Sequence, residues 1–155
     1  MKTNLLLLCF FFTGTVLTIN AQSLQEQLLG KWKQTKDEGY EFFINTPEAQ
    51  NGPKEEMDKF YDLMKKYQDQ SFKNFYSKDS MTSTIVDRTE IIQEKSVWNI
   101  READSVITWN IRFAPKVLQA KIVKITDQEL ILIYLNGDRT LGRFKTYYTK
   151  ADKER

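Results

Sequence analysis

Arg143, Lys145 and Tyr147 alternate within the run from Arg139 to Tyr148 near the end of the chain. The two-residue repeat of a β-strand puts all three on one face, with Phe144 and Tyr148 on the other. A guanidinium, an ammonium and a phenol gathered in this way suit the carboxylate of an acidic ligand, because a buried cation needs a paired anion or ordered water. Turned outward, the same face is an ordinary solvated surface, and Phe144 and Tyr148 fill a core instead. Trp98 and Trp109 form a second group, on consecutive strand-like runs either side of Glu102-Ala103-Asp104. Ile107, Trp109, Ile111 and Phe113 share one face of their run, so Trp109 points inward, and Trp98 and Ile100 make the corresponding choice. Two inward indoles suit an apolar ligand pocket with a few polar groups, and they serve equally as plain core.

Catalysis has little to stand on. The chain has 0 histidines and 1 cysteine, Cys9, which falls within an N-terminal leader. Neither Ser-His-Asp nor Cys-His chemistry is possible, and no Ser-x-x-Lys or Gly-x-Ser-x-Gly occurs. Soft metal ligands are absent from the rest of the chain as well. Asp127 with Glu129, and Glu38 with Glu41, are carboxylate pairs at turns, where acids are common for local reasons. The expectation is a binding protein that is not an enzyme and uses no metal or cofactor. Its 23 basic and 21 acidic residues give a formal net charge of +2, without a basic block, so no nucleic-acid partner is expected.

Met1 to Ala21 reads as a cleaved signal peptide, with Lys2 in its n-region, an apolar stretch from Leu5 to about Val16, and Ile19-Asn20-Ala21 at the cleavage site. The apolar stretch is too short to span a membrane. Cys9 does not fit a lipoprotein acylation site, since leucines precede it where small residues are wanted. The mature chain, 22–155, is then one domain exported to the periplasm or the medium. It has no cysteine, so its stability must come from burial.

Ser23 and Glu26 form a capping box for a short helix from Leu24 to Leu29, and Gly30 stands at its C′ position. A strand from Lys31 to Thr35 and an extended piece from Tyr40 to Ile44 follow. Asn51-Gly52-Pro53 then starts an amphipathic helix from Lys54 to Tyr67, an insertion at about 53–68, with Met57, Phe60, Tyr61 and Met64 on one stripe. That stripe either lids a barrel mouth or docks on its wall. Phe72, Phe75 and Tyr76 fit a helix or a strand. The β-runs beyond are Met81 to Asp87, Glu94 to Arg101, Ser105 to Phe113, Val117 to Thr126, Glu129 to Leu135 and Arg139 to Tyr148. Asn136-Gly137-Asp138 predicts a two-residue hairpin between the last two. Short strands at this spacing predict an all-β fold, an up-and-down barrel of about eight antiparallel strands.

Gly30-Lys31-Trp32, behind a short helix and at the head of the first strand, resembles the opening motif of lipocalins and their calycin relatives. The resemblance implies that Gly30 bends the chain into the barrel and that Trp32 closes its floor, with Arg143 or Arg139 packed over the indole. The final strand resembles the Arg-x-Tyr strand of intracellular fatty-acid-binding proteins, except that Lys145 intervenes and the tyrosine, Tyr147, comes later. In pattern the mature chain resembles the small, uncharacterised lipocalin-like domains exported by Gram-negative bacteria. Family membership implies a small hydrophobic or amphiphilic ligand, fatty-acid-like, held by Trp98, Trp109, Arg143, Lys145 and Tyr147. Haem-binding calycins of the nitrobindin type use a histidine and are excluded. The alternative is a solid barrel that binds an envelope protein or inhibits an enzyme through its outer face.

Overall fold

The computed structural model describes residues 22–87, 89–111 and 116–151. The leader read at Met1 to Ala21, and Phe113, lie outside them. The order is α1 (Leu24–Leu28), β1 (Gly30–Asp37), α2 (Glu38–Ile44), α3 (Pro47–Asn51), α4 (Lys54–Gln70), β2 (Phe72–Phe75), β3 (Ser80–Asp87), β4 (Glu90–Arg101), β5 (Val106–Ile111), β6 (Lys116–Ile125), β7 (Glu129–Leu135) and β8 (Leu141–Lys150). Each strand pairs antiparallel with the next, and β8 returns to β1, giving the closed up-and-down barrel of eight strands expected from the sequence.

The floor is built around Trp32. The capping box is present: Glu26 N–H donates to Ser23 Oγ, and Ser23 N–H to the Glu26 carboxylate. It fixes α1 so that Leu28 O accepts from Trp32 Nε1 at 2.7 Å. Gly30 has φ +114°, a left-handed conformation natural to glycine, and it turns the chain from α1 into β1. Leu28, Trp32, Phe75, Trp98, Ile107, Ile122 and Leu130 pack into one buried cluster. The cation over Trp32 is neither Arg143 nor Arg139 but Lys150. Its Nζ lies 4.3 Å from the ring centroid and donates to Leu29 O at 2.6 Å and Gln27 O at 3.3 Å. The register puts Lys150 directly opposite Trp32, which explains the choice.

Two local expectations change, and one open reading is resolved. Tyr40 to Ile44 is helix rather than an extended piece, because the Asp37 carboxylate caps α2 by accepting from Tyr40 N–H at 3.0 Å. The last hairpin is not a two-residue turn. Asn136 N–H bonds Thr140 O, Arg139 takes φ 68°, and Asp138 accepts from Thr140 N–H. Just beyond it, a Cβ on Gly142 would lie 2.5 Å from Tyr134 O, so the irregular β7–β8 pairing requires glycine there. Finally, Phe72–Phe75 is strand, which sets which of its residues face the interior.

Because Trp32 is fully buried, Trp32→Ala should cost roughly 3–5 kcal/mol of stability, as large-to-small core substitutions do. Urea unfolding followed by circular dichroism checks it, and a loss below about 1 kcal/mol would deny Trp32 its place in the floor.

Candidate functional site

The last strand has the alternation read from the sequence, with its charged face outward. Thr146 and Tyr148 are the buried residues of β8, 3% and 1% exposed. Arg143, Lys145 and Tyr147 therefore stand outside, away from Trp98 and Trp109, and they hold α2. Tyr147 Oη donates to Glu38 Oε1 at 2.6 Å, and Lys145 N–H donates to Glu38 Oε2 at 2.9 Å. These two bonds, the Tyr147 hydroxyl first, draw the Glu38 pKa down, and the same carboxylate raises that of Tyr147. Arg143 stacks 4.8 Å from the centroid of Phe42, whose ring packs 5.1 Å from Phe144.

Trp98 and Trp109 do point inward, opposite each other across β4 and β5. Trp98 belongs to the floor: it packs on Phe75 at 4.8 Å, and its Nε1 donates to Ser77 O. Trp109 belongs to the layer above. There Lys73 is only 5% exposed, with Nζ 4.4 Å from the ring centroid of Trp109, 5.8 Å from that of Tyr134 and 5.9 Å from that of Tyr148. An ammonium among three aromatic rings gains from their quadrupoles but stays poorly solvated. Burial pushes the Lys73 pKa down to about 7. It also pushes the Tyr134 and Tyr148 hydroxyls up, and the two sit 3.2 Å apart.

Other polar groups share this layer. Gln34, Ser83, Glu94, Ser96 and Thr146 are all buried. Gln34 Oε1 accepts from Ser71 Oγ. Gln34 Nε2, Ser96 Oγ and Trp109 Nε1 are buried with no hydrogen-bond partner among the described residues. The contrast with Trp32 and Trp98 is informative, since both of those indoles donate to backbone carbonyls.

Lys73 and Gln34 were legible from strand parity but were not among the residues singled out. Gln34 follows Trp32 by two positions, as Ser96 and Glu94 precede Trp98. Lys73 precedes Phe75 by two, and only the ambiguity of Phe72 to Tyr76 hid it.

The helices close the other end. A cavity of about 140 Å³ lies beneath them, lined by Gln34 and Asp37 of β1, Tyr40 and Phe43 of α2, and Phe60, Met64, Tyr67 and Gln68 of α4. Phe60 and Met64 of the α4 stripe face this cavity, Tyr61 Oη donates to Ala49 O of α3, and α4 also packs along β1, β3 and β4. Tyr67, raised in pKa chiefly by burial, is near enough to Tyr134 and Tyr148 to influence their ionisation. On the β7–β8 side, an open depression of about 520 Å³ reaches the mouth between Asp37, Tyr134, Phe144 and Thr146. No cluster of His, Cys, Asp or Glu suited to a metal occurs among the described residues. No described helix is long and apolar enough to cross a membrane.

No family model matches the chain, and no curated protein matches it. Among solved structures it is similar to a crystal structure of a mutant of the fluorescent protein UnaG. The two are 17% identical over 83% of this chain and 99% of that one, with a TM-score of 0.38.

A lysine whose pKa is lower folded than unfolded sheds a proton on folding, so stability should rise with pH between about 7 and 10.5. From pH 7 to pH 9 the gain should be on the order of 2 kcal/mol. In Lys73→Met that slope should vanish, and the variant should be the more stable protein at pH 7. Urea unfolding of both proteins at the two pH values measures this, and equal slopes would mean that Lys73 is solvated.

Proposed function

We propose that the protein binds one small amphiphilic molecule of fatty-acid-like shape inside the barrel, its polar end in the Lys73 layer and its apolar end under the lid. One observation carries this reading: the Lys73 ammonium is buried among three aromatic rings, and beside it Trp109 Nε1 and Gln34 Nε2 are buried with no hydrogen-bond partner among the described residues. A folded chain rarely strands several polar groups in one layer, and a ligand or ordered water supplies what the protein does not. A solid barrel acting only through its outer face gives these groups no purpose.

The lid governs entry. Ligand sites usually enclose about 300–1,000 Å³, more than the 140 Å³ under the lid, so α2 and α4 must yield for a ligand to enter. They are suited to it, since neither helix has a fully buried residue and both rest on half-exposed aromatic contacts such as Phe43 on Phe60 at 5.1 Å. Segments held this shallowly open before the rest of a fold.

Binding without turnover fits the chemistry at the mouth. Asp37 does converge there with tyrosines, but its two oxygens accept from Tyr40 N–H and Thr146 Oγ1. The surrounding tyrosines are pushed upward, away from the range useful to a general base. We place the carrier in the periplasm or outside the cell on the strength of its N-terminal apolar run alone.

Native mass spectrometry of purified protein, before and after unfolding and delipidation, should show one bound small molecule that is lost on unfolding. The delipidated protein should take up N-phenyl-1-naphthylamine with a fluorescence gain, at a single site, and Gln34→Leu should weaken the affinity for a dodecanoate competitor about 5–10-fold. An empty protein that gives no probe signal would falsify the carrier reading.

A further inference from the structure

Lys73, Trp109 and Gln34 all present donors to this layer. An ammonium carries three N–H groups and no acceptor, an indole donates only, and Gln34 presents its amide nitrogen while Oε1 is taken by Ser71. A site with donors in excess asks for acceptors, and one with a buried cation asks for negative charge. The chain offers Lys73 little of either.

Each neighbouring element can be checked. Glu94 of β4 stands two strands from Lys73, with Ser83 between them in the ladder, and has an interaction of its own. Asp37 of β1 is occupied by Tyr40 and Thr146. Tyr67 of α4, Tyr134 of β7 and Tyr148 of β8 are all raised in pKa and stay neutral at ordinary pH. The buried residues of β3 and β5 at this level, Ser83 and Trp109, carry no charge.

We propose that the interior site selects a monoanion: a carboxylate headgroup paired with the Lys73 ammonium inside the cage of Trp109, Tyr134 and Tyr148, with binding coupled to uptake of a proton. This rests on the carrier reading and gives its ligand a chemical class. One cation matches one negative charge, so a monocarboxylate fits better than a phosphate dianion. An alcohol or ester of the same shape leaves the ammonium unmatched. The proton follows from burial, which drives the empty site's amine toward neutrality, about pKa 7, while an arriving carboxylate favours the charged form. Acid uptake should therefore be strongest below neutral pH and weaken as the amine deprotonates.

The test uses the whole mature protein with 13Cε-labelled lysine, delipidated, with dodecanoate and 1-dodecanol as probes. Lys73→Met identifies the Lys73 signal by its loss. With dodecanoate, the Lys73 titration midpoint should rise by at least about one unit, and with dodecanol it should stay. Dodecanoate affinity should fall on the order of tenfold from pH 6.5 to pH 8.5, while dodecanol affinity stays level. Lys73→Met should still bind dodecanol but lose the pH dependence toward dodecanoate, and Lys73→Arg should retain binding of the acid without the pH dependence. If both probes bind and the Lys73 signal ignores them, the anion site is wrong and the carrier reading stands. If neither probe binds, both fail.

Discussion

Closure of the sheet is the constraint on which everything else depends. Once β8 pairs back to β1, the barrel has an inside and an outside, and the pleat assigns every second residue to one or the other. Placing Trp32 inside at the floor commits Gln34 to the interior, and the partner register commits Lys73, Ser83 and Tyr148 with it. No side chain on these strands can change sides without a bulge. The breaks in pairing register fall at Gln34/Lys36, Ile122/Lys124 and Ile133/Leu135.

The same alternation explains what the sequence made legible and what it did not. Period two correctly placed Arg143, Lys145 and Tyr147 together and Trp109 inward, because alternation is local. Which face of β8 is the inner one depends on strands far away in sequence, and local pattern is silent on that. The capping box of α1 and the amphipathic α4 were readable because caps and helical stripes are also local. The helix α2 was hidden because its apolar residues, Tyr40, Phe42 and Phe43, have strand-like propensity, and the Asp37 cap that overrides it needed to be noticed. Lys73 escaped because its strand is only four residues long, too short for a period to declare itself.

The outward face of β8 has a structural task of its own, which is to hold α2. Glu38, the first residue of α2, is fastened to Tyr147 and to the Lys145 backbone, and its neighbour Asp37 is fastened to Thr146. These bonds anchor the near end of the lid to the barrel rim. The far end, α4, lies over the mouth on half-buried side chains. A lid hinged firmly at one end and loosely packed at the other can open without the barrel opening.

The barrel interior changes from apolar to mixed polar character between Trp32 and Lys73. A chain with 1 cysteine forms no internal disulfide and must stabilise itself by burial, and a caged lysine with polar neighbours does the reverse. Leu28, Trp32, Phe75, Trp98, Ile107, Ile122 and Leu130 belong to one buried cluster that also takes in Trp109 and Tyr148, and within it Trp32 and Trp98 each donate their indole N–H to a backbone carbonyl. The layer above can then keep donors unsatisfied, because the floor offsets their cost. Trp109 marks the boundary: it packs edge-on to Tyr134 at 5.8 Å like a core residue, and its Nε1 remains available like a residue of a site. An indole that satisfied its own N–H would make a better core.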